Sequence, residues 1–245
     1  MWLINSSVGR KLIMGISGAA LVVFLLFHSI MNVVVLFSPE AYNAICAFLG
    51  ANWYAVLATL GLAGLVALHF MFALLLTIQN LLARGRDRYA VTARQEGVSW
   101  ASKNMLILGI IIFGFLVLHL FQFWAKMQLV ELVGEKNSEA YKLAANGAFW
   151  IDHYFSQTWV SITYLVCFAA LWFHLTHGVW SSLQSLGLNN NIWLPRLKVA
   201  STIVATLIVL MFAAIPVYYL LGFYIVVPCI CEVACNVVQC ISLPL

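Results

Sequence analysis

Residues 12–37 read LIMGISGAALVVFLLFHSIMNVVVLF, 26 consecutive positions without a charged side chain. A helix crosses the hydrocarbon core of a bilayer with about 20 apolar residues, so this stretch predicts a transmembrane helix over roughly 11–37. The run is too long for the apolar part of a secretory signal, and no small-residue cleavage site follows it, so it reads as a retained span. Four more runs of the same kind follow at about 53–83, 103–125, 158–186 and 198–227. The fold class expected is therefore all-α, a polytopic bundle of five transmembrane helices forming one domain over 1–245.

The composition agrees with that reading and excludes others. Of 245 residues, 64% are hydrophobic and 8% charged, with mean hydropathy +1.00. A soluble domain carries about 25% charged residues. No ten-residue segments of strict alternation mark an outer-membrane barrel. Five spans leave little chain for a soluble catalytic domain, so any chemistry is expected within the bilayer. The net charge of +4 is no sign of nucleic-acid binding, because basic residues flanking apolar spans orient the helices. Arg10, Lys11, Arg84, Arg86, Arg88, Arg94, Lys103, Arg196 and Lys198 fall on one side by alternation, against Lys126, Lys136 and Lys142 on the other. Nine against three places the N-terminus and the loop 84–103 in the cytoplasm and the C-terminus outside. The long outer loop 126–157, with Glu131, Glu135, Glu139 and Asp152, is expected to include an amphipathic surface helix.

Five of the six histidines lie in the spans: His28, His69 and His119 in the first three, and His174 with His177 in the fourth; His153 lies in a loop. Polar groups at membrane depth are costly and mark function or a specific partner. One such histidine would read as an interhelical hydrogen bond; four on four helices read as a ligand set. Counted from the outer boundaries at Pro39, Trp53, Lys126 and Thr158, His28, His69, His119 and His174 lie 11, 16, 7 and 16 residues deep. They fall into an outer pair, His28 with His119, and a deeper pair, His69 with His174, separated by about 10 Å at 1.5 Å per residue, or by less when counted from the inner ends. Two imidazoles from different helices are the usual axial ligands of a low-spin haem, and helix bundles build cofactor sites in this way. Zinc or non-haem iron would bring Cys or carboxylate ligands, and no Asp or Glu lies deep in a span. The bc-type cytochromes b are excluded, since they carry two ligands on each of two helices. His177 competes with His174 for the fourth position. His174 is preferred because Gly178 at i+4 admits a porphyrin edge, as Ala73 does at i+4 from His69. The other histidine is left to face the haem rim, to bond a propionate or quinone, or to pack in the bundle.

These residues resemble the five-helix, dihaem cytochrome b membrane subunit of succinate:quinone oxidoreductases, the succinate dehydrogenases and fumarate reductases. The resemblance rests on Phe27-His-Ser-Ile-Met-Asn32, Ser38-Pro-Glu-Ala-Tyr-Asn43, His69, Leu118-His-Leu-Phe121, His174-Leu-Thr-His-Gly-Val-Trp-Ser181 and Gly187-Leu-Asn-Asn190. It covers about residues 8–222, and its specificity lies in the combination. It implies two haem b groups, an outer one on His28 and His119 and an inner one on His69 and His174, the fourth ligand opening a stretch that continues through Gly178 and Ser181. It also implies a flavoprotein (FAD) subunit and an iron–sulfur subunit docked on the cytoplasmic face at the basic loop. Electrons would pass between the iron–sulfur subunit and a membrane quinone, menaquinone being expected, in the respiratory chain of a bacterial inner membrane. The dicarboxylate site would lie on the partner. A dimer of the whole complex is compatible with the family.

Quinone chemistry needs protons, and Glu40 in the first outer loop is the candidate acid, with a solvated loop carboxylate as the competing reading. Some fumarate-reducing members carry Glu two residues before the fourth ligand; Trp172 stands there and favours succinate oxidation. The tail from Pro228, with Cys229, Cys231, Cys235 and Cys240, has no counterpart in the family. Facing an oxidising compartment, it suggests disulfides, with metal binding as the alternative. Cys46 and Cys167 read as packing residues. Two other functions remain open to the sequence: a dihaem anchor for a different dehydrogenase, and a transporter or structural subunit without haem. The second would more often interrupt its spans with Gly or Pro near the midplane, whereas Pro216 is the only proline in a span.

Overall fold

The computed structural model describes residues 6–50, 52–84, 99–188 and 190–225. Arg86, Arg88 and Arg94 of the basic loop, Asn189 and the four cysteines of the tail lie outside the described residues. Among those described there are only helices. Five are long and apolar enough to cross a membrane: α1 (Ser7–Val33, extended by a 3₁₀ turn Val34–Leu36), α3 (Trp53–Arg84), α5 (Met105–His119, continued by a π turn Leu120–Trp124), α9 (Thr158–Ser185) and α10 (Trp193–Leu220). Short helices connect them: α2 (Pro39–Phe48), α4 (Trp100–Lys103), α6 (Gln128–Val133), α7 (Glu139–Ala144) and α8 (Gly147–Phe155).

The helix ends follow from local chemistry. Ser6 opens α1, its Oγ accepting from the Gly9 amide at 2.9 Å, and Ser38 caps α2 with Pro39 in the first turn. Gly187 (φ +100°) closes α9 and Gly222 (φ +83°) closes α10. At the second, the Phe223 amide reaches Tyr218 O at 3.2 Å and the Gly222 amide reaches Tyr219 O at 3.0 Å, a Schellman closure that needs a left-handed residue. The last span is thus shifted from the expected 198–227. It ends at Leu220 because of Gly222. It begins at Trp193 because Asn190 Oδ1 accepts from the Ile192 and Trp193 amides at 3.1 and 2.7 Å and Pro195 falls in a first turn, where no amide partner is lost.

The most central helix is α9, which packs along α10, α1 and α5, while α3 lies chiefly against α1. A continuous core runs from Val35 and Tyr42 through Tyr164, Phe168, Leu171 and Leu175 to Ile208, Phe212 and Ile215. The outer helix faces expose many Leu, Ile and Phe side chains, as lipid contact requires. Exposed Trp53 and Trp159 begin spans at one end of the bundle, and exposed Trp100 and Trp193 lie at the other, the placement of interfacial tryptophans.

The end carrying Trp53 is covered by short helices rather than by one surface helix. The amide of Ala148 in α8 donates to Asn43 Oδ1 of α2 at 2.9 Å. Gly147 permits that approach: a Cβ there would lie 2.4 Å from Cys46 Sγ and 2.8 Å from the Tyr42 ring. Buried Gln128 ties the layer together, donating to Gly50 O at 3.1 Å and accepting from Thr59 Oγ1 and Trp124 Nε1 at 2.8 and 2.9 Å. Asp152 of α8 accepts the Tyr219 hydroxyl at 3.0 Å, joining the layer to α10. Burial pushes the Cys46 thiol up to about 11, so it stays protonated, in keeping with a packing role.

Candidate functional site: two histidine pairs in the bundle

The bundle brings four of the five span histidines together in two pairs. The rings of His28 on α1 and His119 on α5 have centroids 5.9 Å apart and planes rotated by 83°. Those of His69 on α3 and His174 on α9 are 6.4 Å apart and rotated by 66°. Each pair joins two helices distant in sequence, and the pairs use four different spans.

Three helices give the distance between the two levels. On α1, His28 marks the first level, while Ser17 contacts His69 at 3.3 Å and a Cβ on Gly18 would lie 3.2 Å from the His69 ring. On α5, His119 marks the first level and a Cβ on Gly109 would lie 3.9 Å from His174 Cε1. On α9, Tyr164 meets His119 at 3.4 Å and His174 marks the second level. Each helix separates the levels by about ten residues, or about 15 Å. This exceeds the roughly 10 Å expected from counting inward from span ends; on the outer side the π turn Leu120–Trp124 and the 3₁₀ turn Val34–Leu36 each extend a span.

Polar groups orient the rings. At the first level, the buried Tyr164 hydroxyl lies 3.4 Å from His119 Nδ1 and donates to Gln122 Oε1 at 2.7 Å. A Nδ1–H of His119 can then donate to the phenol oxygen, fixing the tautomer that leaves Nε2 bare. The π turn begins immediately after His119, and the Ala125 amide closes on Leu120 O at 2.8 Å; such turns recur at functional sites. Asn32 Nδ2 lies 3.3 Å from His28 Nδ1, and the Tyr42 hydroxyl donates to Asn32 Oδ1 at 3.2 Å. Burial raises the Tyr42 phenol well above its ordinary value, so it remains a donor. At the second level, Ser17 Oγ lies 3.3 Å from His69 Nδ1 and donates to Met14 O at 3.1 Å. His174 Nδ1 is buried with no hydrogen-bond partner.

Small residues surround the second pair. Gly18 could not carry a side chain without displacing His69, and a Cβ on Gly178 would meet nothing within 4 Å. His177 does not pair with another histidine; its ring lies against Trp180 with centroids 4.9 Å apart. Glu40, the expected quinone-site acid, is exposed in the first turn of α2, where its carboxylate accepts the Ser38 hydroxyl at 3.1 Å. The link from α2 to the histidines runs instead through Tyr42 and Asn32. Trp172 donates to Thr206 Oγ1 on α10 at 2.9 Å. Sequence reasoning missed Ser17, Asn32, Gln122 and Tyr164. Only their polarity within apolar runs could have marked them.

Among the described residues, no three His, Cys, Asp or Glu side chains group as a metal-ligand set. What the bundle presents is a pair of two-imidazole sites in apolar surroundings. Two metal–imidazole bonds of about 2 Å, with the ring radii added, correspond to centroids roughly 6 Å apart, as found in both pairs. No protein-family model, curated protein or solved structure matches the chain.

Proposed function

We propose that the chain is a dihaem cytochrome b membrane anchor of a succinate:quinone oxidoreductase, passing electrons between an iron–sulfur subunit and membrane quinone. The observation that carries the proposal is the stacking of His28/His119 and His69/His174 at two levels about 15 Å apart on four spans. When bound between such imidazoles, a low-spin haem would supply reversible one-electron transfer.

The residues then have separate tasks. His28 with His119, and His69 with His174, would each hold one haem through ring nitrogens. Tyr164 and Ser17 hold the Nδ1 side of one ring in each pair, which raises ligand basicity and fixes orientation. Gly18, Gly109 and Gly178 keep side chains out of the space beside the second pair. The layer of α2, α6, α7 and α8 covers the end nearest His28 and His119, so quinone protonation would occur beneath it. The positive-inside bias sets Arg10, Lys11, Lys103, Arg196 and Lys198 on the cytoplasmic side of a bacterial inner membrane, where the flavoprotein and iron–sulfur subunits would dock. Trp172, bonded to Thr206, stands where a carboxylate would serve a proton route, which favours succinate oxidation.

The partner assignment is tested by purifying the tagged full-length chain from its native membrane. A flavin-containing subunit and an iron–sulfur subunit should copurify, and succinate should reduce the haem of the complex. Copurification of haem with a dehydrogenase that ignores succinate would contradict the partner assignment while leaving the haem ligation standing.

A further inference from the structure

The mechanism leaves His177 unused, and its surroundings suit an anion. Its Nδ1 is buried without a hydrogen-bond partner, although an imidazole nitrogen in an apolar bundle ordinarily finds one. It lies three residues after His174, about 4.5 Å further along α9 toward the end that carries Arg10 and Arg196. The ring rests edge-on against Trp180 at 4.9 Å. Over the same indole, 5.0 Å from its centroid, sits Lys198 Nζ, reaching in from α10.

Every described carboxylate lies at the opposite end or in its covering layer: Glu40, Glu131, Glu135, Glu139 and Asp152. The described part of this end therefore supplies no acidic side chain to Lys198. A buried nitrogen and an ammonium thus converge from two helices, one helical turn from a proposed ligand.

We propose that His177 and Lys198 form a carboxylate site that binds a propionate of the haem held by His69 and His174, with Trp180 as the positioning residue that keeps Lys198 over the site. The assignment rests on the dihaem reading. Residues three and four apart share a helix face, so a haem held by His174 beside Gly178 would have His177 within reach of its rim. A carboxylate there accepts from the His177 Nδ1–H and from the Lys198 ammonium, and a charge-assisted hydrogen bond of this kind is strong in a low-dielectric setting.

The test compares the purified full-length chain with Lys198→Met, Lys198→Arg and His177→Phe, using Lys103→Met as the control at the same end of the bundle. Resonance Raman spectroscopy follows the haem propionate bending band, and haem transfer to apomyoglobin measures retention. Lys198→Met and His177→Phe should shift the band and speed the loss of one haem about tenfold, the factor for a lost charge-assisted bond. Lys198→Arg should restore both readouts, and Lys103→Met should leave them unchanged. Two haems with an unaltered band and unaltered retention in both variants would overturn the carboxylate site. So would loss of a low-spin haem in His177→Phe alongside its survival in His174→Ala, which would make His177 the axial ligand. A wild-type chain without haem would instead remove the dihaem reading on which this site depends.

Discussion

The side chains that matter most here are those behind the histidines. Tyr164 is buried at 2% exposure and bridges His119 and Gln122, so removing its hydroxyl strips His119, a proposed ligand, of its Nδ1 partner. Partners of this kind are worth about 10–100-fold in metal affinity. Tyr164→Phe should therefore weaken the His28/His119 haem by at least tenfold and leave the other unchanged, measured by haem retention and redox titration. Equal effects on both haems would contradict the assignment of Tyr164 to His119. Gly18 permits a second test. A Cβ there lies 3.2 Å from His69 Cε1, whereas one on Gly61 meets nothing within 4 Å. Gly18→Val should lose the His69/His174 haem, while Gly61→Val should retain both, read from the reduced spectrum.

The individual elements divided sharply in how legible they were. Length and hydropathy alone announced the five spans, because a run such as 12–37 has few alternatives to crossing a bilayer. Depth counting grouped His28 with His119 and His69 with His174, the rings that lie side by side in the bundle, but gave about 10 Å between levels where about ten intervening residues give about 15 Å. The partners of the rings were not legible: Ser17 and His69 are 52 residues apart and Tyr164 and His119 are 45 apart, and no local pattern encodes such contacts. The Ser38-Pro39 start of α2 was a readable cap signal, yet the segment drew notice only as a family motif.

The covering layer makes a prediction about pH. Burial raises the Asp152 carboxyl above its model-compound value of 3.8, outweighing the Tyr219 hydrogen bond and the nearby His153, which lower it. A raised folded-state pKa means that the folded state binds the proton more tightly than the unfolded state. Its contribution is present below 3.8 and is lost as pH rises through the folded value. Asp152→Asn, which keeps an acceptor for Tyr219, should match or exceed wild-type thermal stability at pH 7 and flatten this pH dependence. A clear loss of stability at pH 7 would show that the ionised form is the stabilising one.

At the scale of the whole molecule, the scarcity of charge acquires a function. On the proposed reading, an apolar bundle with few ionisable groups would insulate two redox centres from water, with its polar residues holding the histidine rings. The described acids sit at the covered end with Lys126, Lys136 and Lys142, and the cations Arg10, Lys11, Lys103, Arg196 and Lys198 at the other; on the proposed reading that bias would orient the bundle and offer a basic face to a partner.

The central claim is two bis-histidine haems in one chain, and a dithionite-reduced minus oxidised spectrum with haem quantified per chain tests it most directly. The account predicts two low-spin b haems in the wild type, one remaining after His28→Ala or His119→Ala, and the other remaining after His69→Ala or His174→Ala. A folded, purified chain with no haem, or with single replacements that spare both haems, would contradict it.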